Sequence, residues 1–158
     1  MPKVVRRNMF EDELDLYVVT TNGYITKDDK LVMGRGAALM AKRLCPRLPE
    51  IAAQLTQNVF DKVQGCRVYG FVESDSAKCI DKKVRRFGLF QVKYHWQDKA
   101  DLALIGFSIL SLNKCLNMFG HKTCVGMNYP GIGNGGLTKE EVAPLLESLD
   151  KRVVVYEL

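Results

Sequence analysis

Histidine is scarce in this chain, with two in 158 residues, which argues against a histidine-based metal centre. Cysteine is sparse too: Cys45, Cys66, Cys79, Cys115 and Cys124 are widely spaced, odd in number and form no C-x-x-C pair. Reduced, mostly buried thiols follow, in place of a disulfide framework or a zinc site. No metal is expected. A G-x-S-x-G nucleophile elbow and a P-loop are both missing, as are repeats and low-complexity tracts. The longest mostly apolar segment, Leu102 to Leu112, is too short for a membrane span. Near the N-terminus, Arg6 and Arg7 are followed by acidic residues instead of an apolar core. A signal-peptide pattern is therefore not seen, and the cytosol is the expected location.

What remains is ordinary in bulk, with 47% hydrophobic and 26% charged residues. The length suits one domain over residues 1–158 with a full core. A net charge of +5 and a pI near 9.0 favour anionic ligands such as nucleotides or nucleic acid. Much of the basic bias sits in Lys78-Cys79-Ile80-Asp81-Lys82-Lys83-Val84-Arg85-Arg86. Between two strand-like runs, such a segment reads as a solvated hairpin tip ahead of a nucleic-acid contact.

Strand-like and helix-like segments alternate, which predicts an α/β layered domain. Lys3 to Val5 and Leu16 to Thr21 read as strands. Ala37 to Leu44 reads as a helix whose small residues allow close packing, stopped before Pro46. Pro49 opens a second helix through about Phe60. Arg67 to Val72 and Phe87 to Val92 read as neighbouring strands. Asp101 to Met118 is the clearest helix, with Leu102, Ile105, Ile109, Leu112 and Leu116 at alternating spacings of three and four; Gly120 supplies its stop. The strand Thr123 to Met127, the helix Lys139 to Ser148 and the strand Val153 to Tyr156 complete a mixed sheet with helices on both faces.

The most informative stretch is Tyr129-Pro130-Gly131-Ile132-Gly133-Asn134-Gly135-Gly136-Leu137, set between a strand and a helix. Glycine lets the backbone approach a ligand and adopt positive φ, so successive N–H groups can converge on one anion. A following helix adds free N–H groups and the positive end of its dipole. Val32-Met33-Gly34-Arg35-Gly36-Ala37-Ala38 repeats the device before the first helix. It does not complete the dinucleotide fingerprint, since Leu39 stands where the third glycine would fall. Two such loops can grip a pyrophosphate from both sides, and in an α/β sheet they lie at the carboxyl ends of central strands.

Three segments in order, LVMGRGAALMAKRLCP (Leu31 to Pro46), FQVKYHWQDKADLALI (Phe90 to Ile105) and PGIGNGGL (Pro130 to Leu137), resemble the macro domain. The branch they are most similar to comprises short stand-alone ADP-ribose-binding proteins of bacteria and their phages, akin to antitoxin macro domains that strip ADP-ribose from DNA bases. The resemblance implies a three-layer α/β/α sandwich around a central mixed sheet, with ADP-ribose in a cleft along the sheet crest. It implies that Met33, Gly34, Gly36, Ala37 and Ala38, with residues 130–137, hold the diphosphate and distal ribose. At the end of the first strand, where the family usually carries an adenine-binding aspartate, this chain has Asn8, followed by Met9. Asparagine can still accept that hydrogen bond. Thr20-Thr21-Asn22-Gly23 resembles the segment facing the distal ribose, with Asn22 as the contact. Against this, Asn-Gly also favours a tight turn, and Tyr24 to Lys30 reads as a small hairpin; both readings stand.

The resemblance also implies a reactive lysine, Lys93, within Val92-Lys93-Tyr94-His95-Trp96. Protonated, it can stabilise developing charge or orient water; neutral, it can attack C1″ of the opened ribose and form a Schiff-base-type adduct. Nearby phosphates oppose the neutral form, so the protonated role is preferred. His95 is expected to be structural, bonding a loop carbonyl, and Trp96 to pack over the start of the long helix. Asp98 and Asp101 are expected to cap that helix. Gln91 stands where relatives often have proline, so the approach of Lys93 to the cleft should differ. The leading expectation is an ADP-ribosyl hydrolase needing no cofactor, with ADP-ribose as ligand or product and nucleic acid as a possible substrate. Alternatives are an ADP-ribose 1″-phosphate phosphatase and a non-catalytic reader.

Overall fold

The computed structural model describes residues 2–59 and 61–158. Its strands are β1 (Lys3–Arg6), β2 (Leu16–Thr21), β3 (Lys62–Val63), β4 (Cys66–Arg67), β5 (Phe71–Glu73), β6 (Ala77–Lys78), β7 (Val84–Arg85), β8 (Phe87–Gln91), β9 (Val125–Asn128) and β10 (Val153–Glu157). The helices are α1 (Gly36–Leu44), α2 (Leu48–Leu55), α3 (Leu102–Leu116) and α4 (Lys139–Leu146), with short 3-10 turns at Met9–Glu11 and Gly133–Gly135. Six strands form one mixed sheet in the order β1-β10-β9-β2-β8-β5, parallel except for the antiparallel edge strand β5.

Strand alternation splits the core between two faces. Leu16, Val18, Phe90, Met127 and Val155 pack with Ile105, Ile109 and Leu112 of α3 and Val142 and Leu146 of α4. Tyr17, Val19, Phe87, Leu89 and Tyr156 pack with Ala38 and Ala41 of α1 and Leu48 and Ala52 of α2. The result is the α/β/α layering read from the sequence, with α1 brought close to the sheet by its alanines. No helix among the described residues is long and apolar enough to cross a membrane.

Several boundaries differ for identifiable reasons. The expected strand Arg67 to Val72 is broken: β4 pairs with β3, and only Phe71–Glu73 joins β8. Gly70 there is left-handed, with φ of 70°. The N–H groups of Tyr69 and Gly70 both donate to Gln91 Oε1, at 2.9 and 3.2 Å. The helix α2 ends at Leu55, and Phe60, its expected limit, lies outside the described residues. Asp101 sits one residue before α3 as its N-cap, accepting from Leu104 N at 2.9 Å.

The basic segment does form a hairpin, β6–β7, but Arg85 is not part of a solvated tip. Its guanidinium is buried, bonds both Asp81 carboxylate oxygens at 2.9 Å, and donates to Phe10 O. Pairing with Arg85 holds the Asp81 carboxyl below the usual carboxylate range. The loop after β1 is pinned similarly: the Tyr156 hydroxyl donates to Asp12 Oδ2 at 2.6 Å, the same oxygen that Arg7 binds.

Gln91 is wholly buried and uses its whole side-chain amide: Nε2 donates to Arg67 O at 2.8 Å and Lys93 O at 3.2 Å. Replacing it with leucine removes those bonds and takes the side-chain partner from four backbone groups, the buried Tyr69 and Gly70 N–H groups among them. Gln91→Leu should therefore destabilise the fold by about 3 kcal/mol, read from the midpoint of urea denaturation; a change within about 0.5 kcal/mol would show that water replaces the amide.

Candidate functional site

A cleft of about 500 Å3 opens at the carboxyl ends of β2, β8 and β9. Its wall on one side is the first glycine loop running into α1, and on the other Gly131, Ile132, Asn134 and Gly135. Its floor is made by Thr20, Thr21, Asn22 and Asn128, and Lys93 with Val92 and Trp96 closes one end.

Both loops present the geometry that an anion requires. Gly36, the first residue of α1, has φ of 58°, and Gly131 and Gly133 have φ of 79° and 64°. A side chain at Gly131 would meet Ile105 at 2.8 Å, so that residue is also fixed by packing. Among the described residues, the N–H groups of 34–38 and of 131–134 have no hydrogen-bond partner. The loops approach each other: the Asn134 amide nitrogen lies 3.9 Å from where a Cβ on Gly36 would stand. The second loop is tied at its base by Leu137 N to Gly131 O and Ala100 N to Gly135 O, at 2.9 and 2.7 Å. Unpaired N–H groups on rigid loops, beside a helix N-terminus, favour negative charge between them.

Lys93 lies just past β8 and is held on both sides by backbone bonds, Val92 N to Thr21 O at 3.0 Å and Gly23 N to Tyr94 O at 2.7 Å. Gly23 is required there by close approach, because a Cβ would fall 2.0 Å from Arg67 O. Burial lowers the Lys93 pKa below the usual lysine value, and the charge of Arg35 lowers it further; Asp98 opposes them in part. Arg35, on the loop opposite, makes no ion pair among the described residues.

The remaining expected residues are distributed unevenly. Asn22 reaches the cleft, but its amide is engaged: Oδ1 accepts from Tyr24 N at 2.9 Å and Nδ2 donates to Val32 O at 3.0 Å. The Asn-Gly pair makes no two-residue hairpin; the hairpin follows it, through an Ile25–Leu31 bridge. Asn8 and Met9 do not line the cleft. Asn8 caps the 3-10 turn through Phe10 N at 3.0 Å, and Met9 is buried against the sheet. Pro130, Gly133, Gly136 and Leu137 shape the second loop without lining the cleft.

Three expectations about the lysine segment are corrected. Trp96 is 39% exposed and borders the cleft, its ring stacked on His95 at 5.5 Å, instead of covering the start of α3. His95 is structural but bonds an amide, not a carbonyl: Nδ1 accepts from Gln97 N at 3.0 Å. Asp98 does not cap α3; it accepts from His95 N and closes the 95–98 turn. Sequence reasoning missed Thr20 and Asn128, which pair across β2 and β9 through Thr20 N to Asn128 Oδ1 at 3.0 Å and Asn128 Nδ2 to Thr20 Oγ1 at 2.9 Å. It also missed Tyr24 and Thr26 on the hairpin. Position alone could have found both: Thr20 opens the Thr20 to Gly23 segment already singled out, and Asn128 lies one step before the second glycine loop.

No family model and no curated protein matches the chain. Solved structures do. The Thermosipho africanus DarTG in complex with ADP-ribose superposes with a TM-score of 0.72 at 21% identity, covering all of this chain and 42% of that one. This chain thus spans less than half of that protein's length. The macrodomains of Mycobacterium tuberculosis and Thermus aquaticus DarG give TM-scores of 0.71 and 0.69 at 22% and 24% identity, covering all of this chain and 98% of each. The chain has the macrodomain fold.

The charge arrangement at Lys93 is directly measurable. With lysines reductively methylated using carbon-13, the Lys93 resonance should titrate at lower pH than the exposed lysines, and Arg35→Gln should move it upward. A Lys93 that titrates with the bulk would show that solvent screens the pair.

Proposed function

We propose that the chain binds ADP-ribose in the cleft between its two glycine loops and releases it from an ADP-ribosylated substrate, with DNA as the substrate favoured. The observation that carries the reading is the pair of unpaired N–H arrays at 34–38 and 131–134 facing one another across the cleft, with Lys93 at its end. Such arrays suit a diphosphate, and the volume suits a nucleotide-sized ligand. Similarity to a DarTG structure in complex with ADP-ribose, and to structures named as DarG macrodomains, supports the binding part.

In this reading the diphosphate lies between the loops and the distal ribose beside Lys93. Thr20, Asn128 and Asn22 hold the floor rigid, since each side-chain amide or hydroxyl named there is already bonded to protein. Lys93 then acts at C1″. Burial and the charge of Arg35 lower its pKa, which makes the neutral amine more accessible than in an exposed lysine and supports that role, against the pull of a bound diphosphate. The amine nitrogen attacks C1″ of the ring-opened sugar, the bond to the substrate breaks with the proton passing to the leaving group, and water hydrolyses the resulting imine to free ADP-ribose and lysine. Phosphate hydrolysis at C1″ is disfavoured, because no carboxylate or imidazole lines the cleft among the described residues.

Titration calorimetry with ADP-ribose is the first test; absence of heat would remove the reading. Lys93→Ala should keep binding within a few-fold yet lower ADP-ribose release from modified DNA by at least about 100-fold. Release by the wild type should rise with pH through the lowered Lys93 pKa, because the neutral amine is the reactive form; a rate that falls over that range would restore the protonated role.

A further inference from the structure

Far from the cleft, the C-terminal end of α1 meets the β6–β7 hairpin. Ile80 N donates to Leu44 O at 2.9 Å, so the hairpin tip is fixed to the last residue of the helix. Flanking the two joined residues in sequence are Lys42, Arg43 and Arg47 on the helix side and Lys78, Lys82 and Lys83 on the hairpin, all exposed. None of the six makes an ion pair among the described residues. The hairpin's acid, Asp81, is consumed by the buried Arg85. These cations exceed the chain's whole net charge of +5, so the rest of the surface carries no net positive charge. Two exposed aliphatic side chains, Ile80 at 68% and Val84 at 65%, stand among them.

We propose that this joint is a docking surface for the phosphate backbone of a polynucleotide, separate from the cleft. Two cations would suffice to offset a helix C-terminus; six from two elements, with no internal partners, form a field for a repeating anion. A membrane surface fits less well, because no exposed aromatic anchor accompanies the two β-branched residues. Without aromatic side chains the patch has no stacking platform, so contact is to phosphate and sugar and carries no sequence preference. The nine residues of α1 separate the patch from the cleft by about 13 Å. That distance is about four nucleotide steps along one duplex strand. Docking here does not depend on what the cleft binds.

The test uses fluorescence anisotropy with an unmodified, labelled 20-nucleotide oligothymidylate, its duplex with oligodeoxyadenylate, and phosphatidylcholine vesicles carrying phosphatidylserine. The wild type should bind DNA with an affinity that falls steeply with salt. The triple variants Lys42→Gln/Arg43→Gln/Arg47→Gln and Lys78→Gln/Lys82→Gln/Lys83→Gln should each weaken binding by about tenfold and flatten the slope of log affinity against log salt by about 2. ADP-ribose affinity, measured on the same samples, should be unchanged, which confirms folding and keeps this question apart from that of the cleft. Wild-type failure to bind DNA, an unaltered slope in either triple variant, or binding to vesicles without binding to DNA would each overturn the proposal.

Discussion

The side-chain amide of Gln91 is the fixed point on which the cleft depends. It sits at the last residue of a central parallel strand, where the ladder stops and the chain must turn toward Lys93. A parallel strand buried on both faces leaves its end groups no water. Gln91 meets that need by binding two N–H groups and two carbonyls from two places: Tyr69 N, Gly70 N and Arg67 O of the 67–70 loop, and Lys93 O just past its own strand. Its backbone carbonyl is taken by Ser108 of α3 at 2.6 Å. The same clamp passes through Tyr69, whose buried hydroxyl bonds Thr21 and donates to Asn22 O. The cleft floor and the lysine thus share one set of bonds, and neither can shift without the other.

That rigidity matters for the chemistry because the cleft has few charges of its own. Its attraction for anions comes from backbone N–H groups, from the start of α1, and from Arg35 and Lys93. The two cations are set against each other, and burial adds to the cost of protonating Lys93. An anionic ligand between the loops would relieve Arg35 directly while leaving Lys93 partly desolvated. In the proposed function, binding and reactivity would therefore draw on different groups in one cavity.

The parts of this arrangement legible in the sequence were those encoded locally. Two glycine loops before helices and the alternating apolar strands follow from composition and period within short windows, whereas Lys93 was singled out by the resemblance of its segment to the macro domain. What was lost depended on partners far along the chain. The break in Arg67 to Val72 is imposed by an amide more than 20 residues away. Thr20 and Asn128 are 108 residues apart and become a floor only through β2–β9 pairing. Trp96, the single tryptophan, was assigned to packing because large aromatics usually pack; instead it stacks on His95 and borders the cleft. Asn8 shows that a position matched to a ligand contact also serves as an ordinary cap.

The helix α1 links the two charged regions through the physics of its own backbone. Its N-terminus is stabilised by whatever anion occupies the loops, and no acidic side chain in its first turn takes that place. Its C-terminus carries the opposite partial charge, which alone would repel a polyanion. Lys42 and Arg43 in the last turn neutralise that end, and Arg47 with the hairpin lysines turns the local field positive. One short helix, made thin by Ala37, Ala38 and Ala41 so that it lies close on the sheet, is in this way positive at both ends. Along α1 itself no acidic side chain stands between its two cationic ends, so the helix adds nothing of its own that would repel a polyanion lying along it.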